Sequence, residues 1–378
     1  MKKTSLPTCF HLNPRGLAIT VTWLLLVIFY GLSAGVSTAR AQTRAYVSDP
    51  CTQSVVVIDT ATNTLITTIA VGASLDRVAL SPDGTRAYFT NFSSNSITVI
   101  DTTTNAVTAT VPIRFFPTGI AITPDGTRAY VSTNDVNLPI IDTATNTVTA
   151  TVPFVGFTSA IAITPDGTRA YAPLRSIGFV AVIDTASNTR ITTVGVSDSP
   201  VRIAITPDGT RAYVTNTDSN NVSVIDTATN TLLTRVPVGH PTGEIAITPD
   251  GTRAYVMAFN NENVFVIDTA TNTRIATIPT GGLGASIAIT PDGTRAYVTN
   301  PDTSSLTVID TATNAVIGRV TAGLSCPLEI GFTSAPMVPT SKDDCKNGGY
   351  RRFGPPAGPF RNQGQCVSFV ESHPGGRH

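Results

Sequence analysis

The 378-residue chain is 41% hydrophobic and 13% charged, with 25 basic and 25 acidic residues. A chain this long and this apolar buries a large core, which excludes a disordered polymer, and its balanced charge excludes an electrostatic nucleic-acid binder. Thr, Val, Ile, Ala and Gly dominate while Lys and Glu are scarce, and apolar residues fall at no sustained 3.6-residue spacing, so strands are expected almost throughout.

Residues 1–41 have the three parts of an export signal: a basic start (Lys2, Lys3, Arg15), an apolar run from Leu17 to Val36, and "ARA" ending at Ala41. Cleavage there makes Gln42 the first residue and leaves 21 basic against 25 acidic side chains. The run is about 20 residues long, enough to span a bilayer, so an uncleaved anchor is the alternative. Cys9 precedes the run, which argues against a lipoprotein. Export and the four remaining cysteines, Cys51, Cys326, Cys345 and Cys366, point to two disulfides in an oxidising compartment. The expected location is extracellular or at a bacterial cell surface.

From residue 43 onward one unit repeats. The tyrosine of "RAY" falls at Tyr46, Tyr88, Tyr130, Tyr171, Tyr213, Tyr255 and Tyr297, and the aspartate of "IDT" at Asp59, Asp101, Asp142, Asp184, Asp226, Asp268 and Asp310. Each unit holds four short runs of β-type residues. In the copy that starts at Thr118 they are "GIAIT", "TRAYVS", "LPIID" and "VTATVP". "PDG" between the first two makes a tight hairpin, and "TATN" between the last two offers Thr and Asn side chains to its own turn. Four antiparallel strands repeated seven times predict an all-β, seven-bladed β-propeller, with a linear solenoid as the alternative.

The ends of the array choose between these. The first unit lacks an inner strand, and the last leaves a spare one in "CPLEIGFTSAP", Cys326 to Pro336. The spare strand fits the vacancy, so residues 42–336 should close into a ring with one blade built from both termini. In that blade Cys51 and Cys326 lie in loops on the same face, which predicts a Cys51–Cys326 bridge across the closure. Cys345 and Cys366 then pair locally.

The phrase "ITPDGTRAYVTN" at Ile205 and Ile289, with "VIDTATNT" after it, resembles the YVTN-type β-propeller repeat family over residues 43–333. The resemblance implies a seven-bladed propeller of the kind found in secreted and surface-layer proteins of bacteria and archaea. It implies no single chemistry.

The charged residues that recur seven times read as scaffold. If Tyr88 lies opposite Val99, then Arg86 lies opposite Asp101, and a cross-strand ion pair or hydrogen bond is expected in every blade. Localised function belongs where the repeats differ. The position just before each inner strand, on the rim of the central channel, reads Arg77, Gly119, Ala160, Arg202, Glu244, Ser286 and Glu329. Ring closure makes Glu329 the neighbour of Arg77, and Arg202 the neighbour of Glu244, giving two opposite-charge couples. They are either salt bridges or a polar ligand site, with His240 nearby.

The same face carries "RFFP" from Arg114 through Phe115 and Phe116, then Phe154 and Phe157, and "PLRSIGF" with Arg175 and Phe179. Aromatics interleaved with arginines are a candidate patch for a partner protein or glycan. The loops at Asn216 ("NTDSNN") and Asn300 ("NPDTSS") lack calcium-loop carboxylate spacing and read as Asx turns. No metal-ligand cluster, haem attachment motif or other cofactor signature stands out, so none is expected. The nearest enzymatic analogy, a propeller lactonase or lyase, needs His240 and Glu244 as acid and base.

After Pro336, residues 337–344 read as a linker and residues 345–378 as a small module. "CKNGGYRRFGPPAGPFRNQGQCVSFV" resembles the "CxxGGW…NQGxCVSFV" tail of many secreted bacterial proteins, with Tyr350 where Trp often stands. The whole reads as an exported, non-catalytic binding or scaffold protein, monomeric or self-associating. The alternatives are an extracytoplasmic lactonase or lyase and a self-assembling surface-layer component.

Overall fold

The computed structural model describes residues 43–72, 75–153, 156–259 and 261–333. The expected leader, the linker, the tail module with its Cys345–Cys366 bridge, and Phe154 lie outside the described residues. Among the described residues twenty-eight strands form seven four-stranded antiparallel sheets, so the ring has seven blades. Blade 1 is the composite one. Its inner strand is Ile330–Phe332, which pairs antiparallel with Arg44–Asp49 in the register Ala45 to Phe332 and Val47 to Ile330. Blades 2 to 7 follow in chain order, each running from the channel outward.

The closure is held covalently and by hydrogen bonds. Cys51 and Cys326 are disulfide-bonded with their Cα atoms 5.8 Å apart, 275 residues distant in sequence. The Asp49 carboxylate accepts the Ser325 amide at 2.6 Å, and the amide of Ser48 donates to the Glu329 carbonyl at 2.9 Å.

"RAYV" is buried because both faces of its sheet are covered. Successive side chains of a strand point to opposite faces, and in a blade both faces meet another blade. In blade 3, Tyr130 packs with Leu174 and Ile183 of blade 4. Its chain neighbours Ala129 and Val131 pack with Ile97 and Val99 of blade 2. The same division recurs at every seam, giving seven inter-blade cores in place of one central core.

The expected arginine–aspartate pairing is half realised. Arg86 does lie opposite Asp101 in the ladder, but its guanidinium reaches forward to the Thr143 carbonyl of the next blade. Asp101 instead accepts the amides of Thr103 and Thr104 and caps its own turn. Arg169 likewise bonds the Thr227 carbonyl. The recurring arginine is therefore an inter-blade strap, because a carbonyl at the end of a strand is an unsatisfied acceptor that the long side chain reaches.

Tyrosine and asparagine make a second strap. The Tyr171 hydroxyl donates to Oδ1 of Asn230 in the next blade's "TATN" turn at 2.7 Å, and Tyr297 to Asn63 at 2.6 Å repeats this across the closure seam. Asn230 has φ 55°, the left-handed region that Asn tolerates better than most residues. In "PDG", Gly209 has φ 74°, and a Cβ there would lie 3.3 Å from Pro165 Cδ of the preceding blade, so glycine is needed for both conformation and space.

The outer strands are sheet edges. Each carries a register shift at the same place, as between Val57 and Ile58 or Val224 and Ile225. Such bulges twist an edge away from further pairing.

Candidate functional site

The two faces of the disc differ in kind. One is built from the near-identical "PDG" and "TATN" turns. There, hydrogen bonds from the Thr206 hydroxyl and the Thr210 amide hold Asp208 below the usual carboxylate range, and the Thr229 amide and hydroxyl do the same for Asp226. These aspartates are fully occupied in holding turns. The other face carries the loops between second and third strands and the connections from each outer strand to the next inner strand. This loop face is where the blades diverge.

At the loop-face mouth of the channel the two expected couples are joined into one network. Arg77 Nη1 donates to Glu329 Oε2 and, across the channel, to Glu244 Oε2 at 2.9 Å. Arg202 Nε donates to the same Glu244 oxygen at 2.7 Å, and its Nη1 to the Ser159 carbonyl at 2.9 Å. The Ser286 hydroxyl donates to Glu329 Oε1 at 2.8 Å. Asp76 adds a third carboxylate, 3.6 Å from Arg77 Nε. Sequence pattern alone missed Asp76, which precedes the rim position by one residue.

Two guanidinium groups thus face three carboxylates with little water around them. Burial raises Glu329 to about 7, with Glu244 adding repulsion that Arg77 and Ser286 offset in part. Burial also raises Glu244 and Asp76 above the usual carboxylate range. Burial opposes the charge on Arg77, but Glu329, Glu244 and Asp76 outweigh it and keep the guanidinium protonated. One excess carboxylate in such a cluster is relieved by one bound proton.

Gly119 and Ala160 complete the rim on blades 3 and 4. A Cβ on Gly119 would sit 3.1 Å from Ala160 Cα, so this rim position is crowded even for a methyl group. Beneath it the fully buried Ser132 hydroxyl has no hydrogen-bond partner among the described residues.

Above blades 2 to 4 stand the aromatic loops. Phe115, Phe116, Phe157 and Phe179 are all exposed, Phe157 at 48%. Phe116 packs against Phe92 with ring centroids 5.0 Å apart and the planes tilted by 30°, and the Arg114 guanidinium lies 5.5 Å from the Phe115 ring centre. Phe115 and Phe116 both have positive φ, 62° and 25°, and Asn95 Oδ1 fixes the turn by accepting the Phe116 amide at 2.6 Å. Left-handed backbone at bulky residues costs about 1–3 kcal/mol each, so the loop stability is spent on presenting the rings outward. Arg175 is exposed in the loop between the second and third strands of blade 4. Beside it a depression of about 420 Å³ is lined by Leu174, Ile177, Phe179, Arg190 and Ile191. Phe92 and Val136 lie outside the aromatic and arginine pattern read from the sequence; their signal is an apolar residue in a loop that is polar in blades 5 and 7.

His240 lies elsewhere. Its ring stacks on Phe265 of the third strand of blade 6 at 5.8 Å and meets Asn261 at 3.4 Å, and no contact among the described residues joins it to Glu244. Asn216 and Asn300 are buried, their amides donating to Ser223 and Thr307 within their own blades. Among the described residues no group of three or more His, Cys, Asp or Glu is placed to hold a metal ion.

Comparison with known proteins agrees with this architecture. A profile of the YNCE-like β-propeller family matches residues 30–327. The chain belongs to that family. No curated protein matches the sequence. Among solved structures, a functionally unknown protein from Desulfotomaculum acetoxidans superposes with a TM-score of 0.69 at 21% identity, covering 76% of this chain and 98% of its own. A chain of Kuenenia stuttgartiensis hydrazine synthase gives 0.65 at 23% identity, with 74% and 99% covered. Dihydro-heme d1 dehydrogenase NirN gives 0.61 at 16%, with 79% and 76% covered. At these identities the likeness of this YNCE-like propeller to the three is one of fold.

Proposed function

We propose that this YNCE-like propeller is an exported, non-catalytic binding or scaffold module that works outside the cytoplasm through its loop face. The observation that carries the reading is the group of exposed aromatics, Phe92, Phe115, Phe116, Phe157 and Phe179, on the loops of blades 2 to 4. Apolar rings presented together on a divergent face, beside exposed Arg114 and Arg175, are the ordinary make-up of a protein-binding surface. The partner is an extracellular or cell-surface protein, with a glycan as the other source of a ring-stacking ligand.

The Cys51–Cys326 bridge supports export, because such bonds persist in oxidising compartments. The lactonase or lyase reading draws less support: the Glu244 oxygen that would act as acid or base is taken by Arg77 and Arg202, and His240 is stacked on Phe265.

The test is capture from cell-wall and secreted fractions by the immobilised chain beginning at Gln42. The reading expects a specific protein or glycan that is retained by the wild type and lost in the variant Phe116→Ser, Phe157→Ser, Phe179→Ser. Equal retention by both forms would refute it.

A further inference from the structure

We infer that the depression at the outer edge of blade 4 receives the C-terminal residue of a partner protein, with its apolar side chain on Leu174, Ile177 and Phe179 and its carboxylate on Arg190. The inference rests on the loop face being the working surface. The depression, about 420 Å³, runs from Ile177 in the loop between the second and third strands to Arg190 near the start of the outer strand.

Blade 4 departs from the repeat at the positions that form it. Leu174 pairs with Phe179 in the ladder, and Phe179 with Gly195. The pair corresponding to Leu174 and Phe179 is Asp49 and Ser54 in blade 1, Asn91 and Ser96 in blade 2, and Asn216 and Asn221 in blade 5. In blade 5 that corner is closed by a hydrogen bond from Asn216 Nδ2 to Asn221 Oδ1 at 2.9 Å. Blade 4 puts a buried leucine and an exposed phenylalanine there, so the corner becomes the apolar floor and wall of a recess. Gly195 stands where the ladder places Pro112, Pro153, Pro237 and Pro279 in four other blades. A Cβ on it would lie 3.5 Å from Phe179 Cε1, so the ring rests over bare backbone.

Arg190 supplies the charge. Arg274 holds the same position in blade 6, where it donates to the Val238 carbonyl at 2.9 Å and lies over the Phe265 ring. Arg235 and Arg319 of other outer strands likewise donate to carbonyls, those of Val196 and Thr280. Exposed Arg190 makes no hydrogen bond or ion pair among the described residues. No carboxylate of the described residues lines the depression, and exposed Asp198, in the connection that follows the outer strand, is not part of its wall.

A free guanidinium beside apolar side chains is matched by a carboxylate that carries an apolar group. The end of a protein chain offers both on one residue. A small free ligand fits less well, because sites for such ligands bury about 70–90% of their surface. Here Ile177, Phe179 and Ile191 are 47, 39 and 50% exposed, which leaves an occupant open on one side. A chain end is instead held in place by the rest of its protein, resting on Phe115, Phe116 and Phe157.

Retention of the chain beginning at Gln42 on peptide columns tests this. Each column carries a glycine–serine peptide coupled through its N-terminus. One peptide ends in phenylalanine acid, one in phenylalanine amide, and one has an amidated end with an internal Phe-Asp pair. The acid column should retain the wild type about tenfold more strongly than either amidated one. Arg190→Leu should remove that preference, and Phe179→Ser should remove retention on all three. The first installs the residue type of Leu65 and Leu232, the second that of Ser54 and Ser96, at the matching ladder positions, so melting temperatures should stay unchanged. Equal retention by acid and amide, equal retention by the internal pair, or an Arg190→Leu chain that keeps the preference overturns the inference. If a captured partner is then still lost on the Phe→Ser substitutions, the loop-face reading stands without the chain end.

Discussion

Arg77 and Glu244 are 167 residues apart in sequence and meet across the channel, Nη1 to Oε2 at 2.9 Å. The contact ties blade 2 to blade 6, and through Glu329 and Arg202 it reaches blades 1 and 5. The mouth network is thus a clasp across the ring; among the described residues the other bonds between blades join neighbours.

Removing the centre of that clasp leaves two buried carboxylates facing each other. Breaking a buried ion pair by deleting one partner costs about 3–5 kcal/mol, so Arg77→Ala should lower unfolding stability by that order in urea titrations. Arg77→Lys, which keeps the charge and loses the fork, should cost less. A loss under about 0.5 kcal/mol for Arg77→Ala, the size of an exposed pair, would mean the network is solvated in solution.

Glu329 sets a pH dependence. Its folded value of about 7 lies above the ordinary 4.5, so the folded chain holds a proton that the unfolded chain releases. That stabilisation is present in full below the ordinary value and is lost as pH rises through about 7. Relative to Glu329→Gln, the wild type should therefore lose roughly 2–3 kcal/mol of stability between pH 5 and pH 8, read as a fall in melting temperature. Parallel curves for the two proteins would contradict the assignment.

The tyrosine–asparagine strap separates two costs at one residue. Asn230→Gly keeps the left-handed backbone and loses the Tyr171 acceptor, for about 1–3 kcal/mol. Asn230→Ala loses the acceptor and adds backbone strain of about 1–2 kcal/mol. Thermal melts should order the proteins wild type, Gly, Ala; an Ala variant as stable as the Gly variant would show that the conformation is not enforced.

Reduction should open the ring at blade 1. The chain-entropy model assigns a bond closing 275 residues about 4–6 kcal/mol, an upper figure. The Cys51→Ser, Cys326→Ser variant should melt lower than the wild type and should match the wild type in reductant. Identical melting of oxidised and reduced wild type would remove the disulfide from the stability account.

The fold was legible because its determinants are local and repeated. "PDG", "TATN" and the fixed spacing of tyrosine specify hairpins and a period, and a missing first strand with a spare last one, Ile330–Phe332, specifies closure. Longer-range choices were not legible. Arg86 bonds the Thr143 carbonyl in place of the cross-strand Asp101 because blade-to-blade stacking brings that acceptor closer, and no strand register encodes stacking. The rim charges were found by subtracting the repeat, but their union across the channel depends on its width. His240 looked adjacent to Glu244 at four residues' separation, yet the connection stacks its ring on Phe265 of the third strand.

Site-specific photocrosslinking in the producing cell tests most directly whether the loop face is the working surface. A benzoylphenyl side chain is placed at Phe116, Phe157 or Phe179 on that face, and at Ala144 or Ala228 on exposed positions of the turn face. The account predicts adducts, to a second copy or to another extracytoplasmic partner, from the three loop-face positions and none from the two turn-face positions. Adducts from the turn face alone, or from neither face, would contradict it.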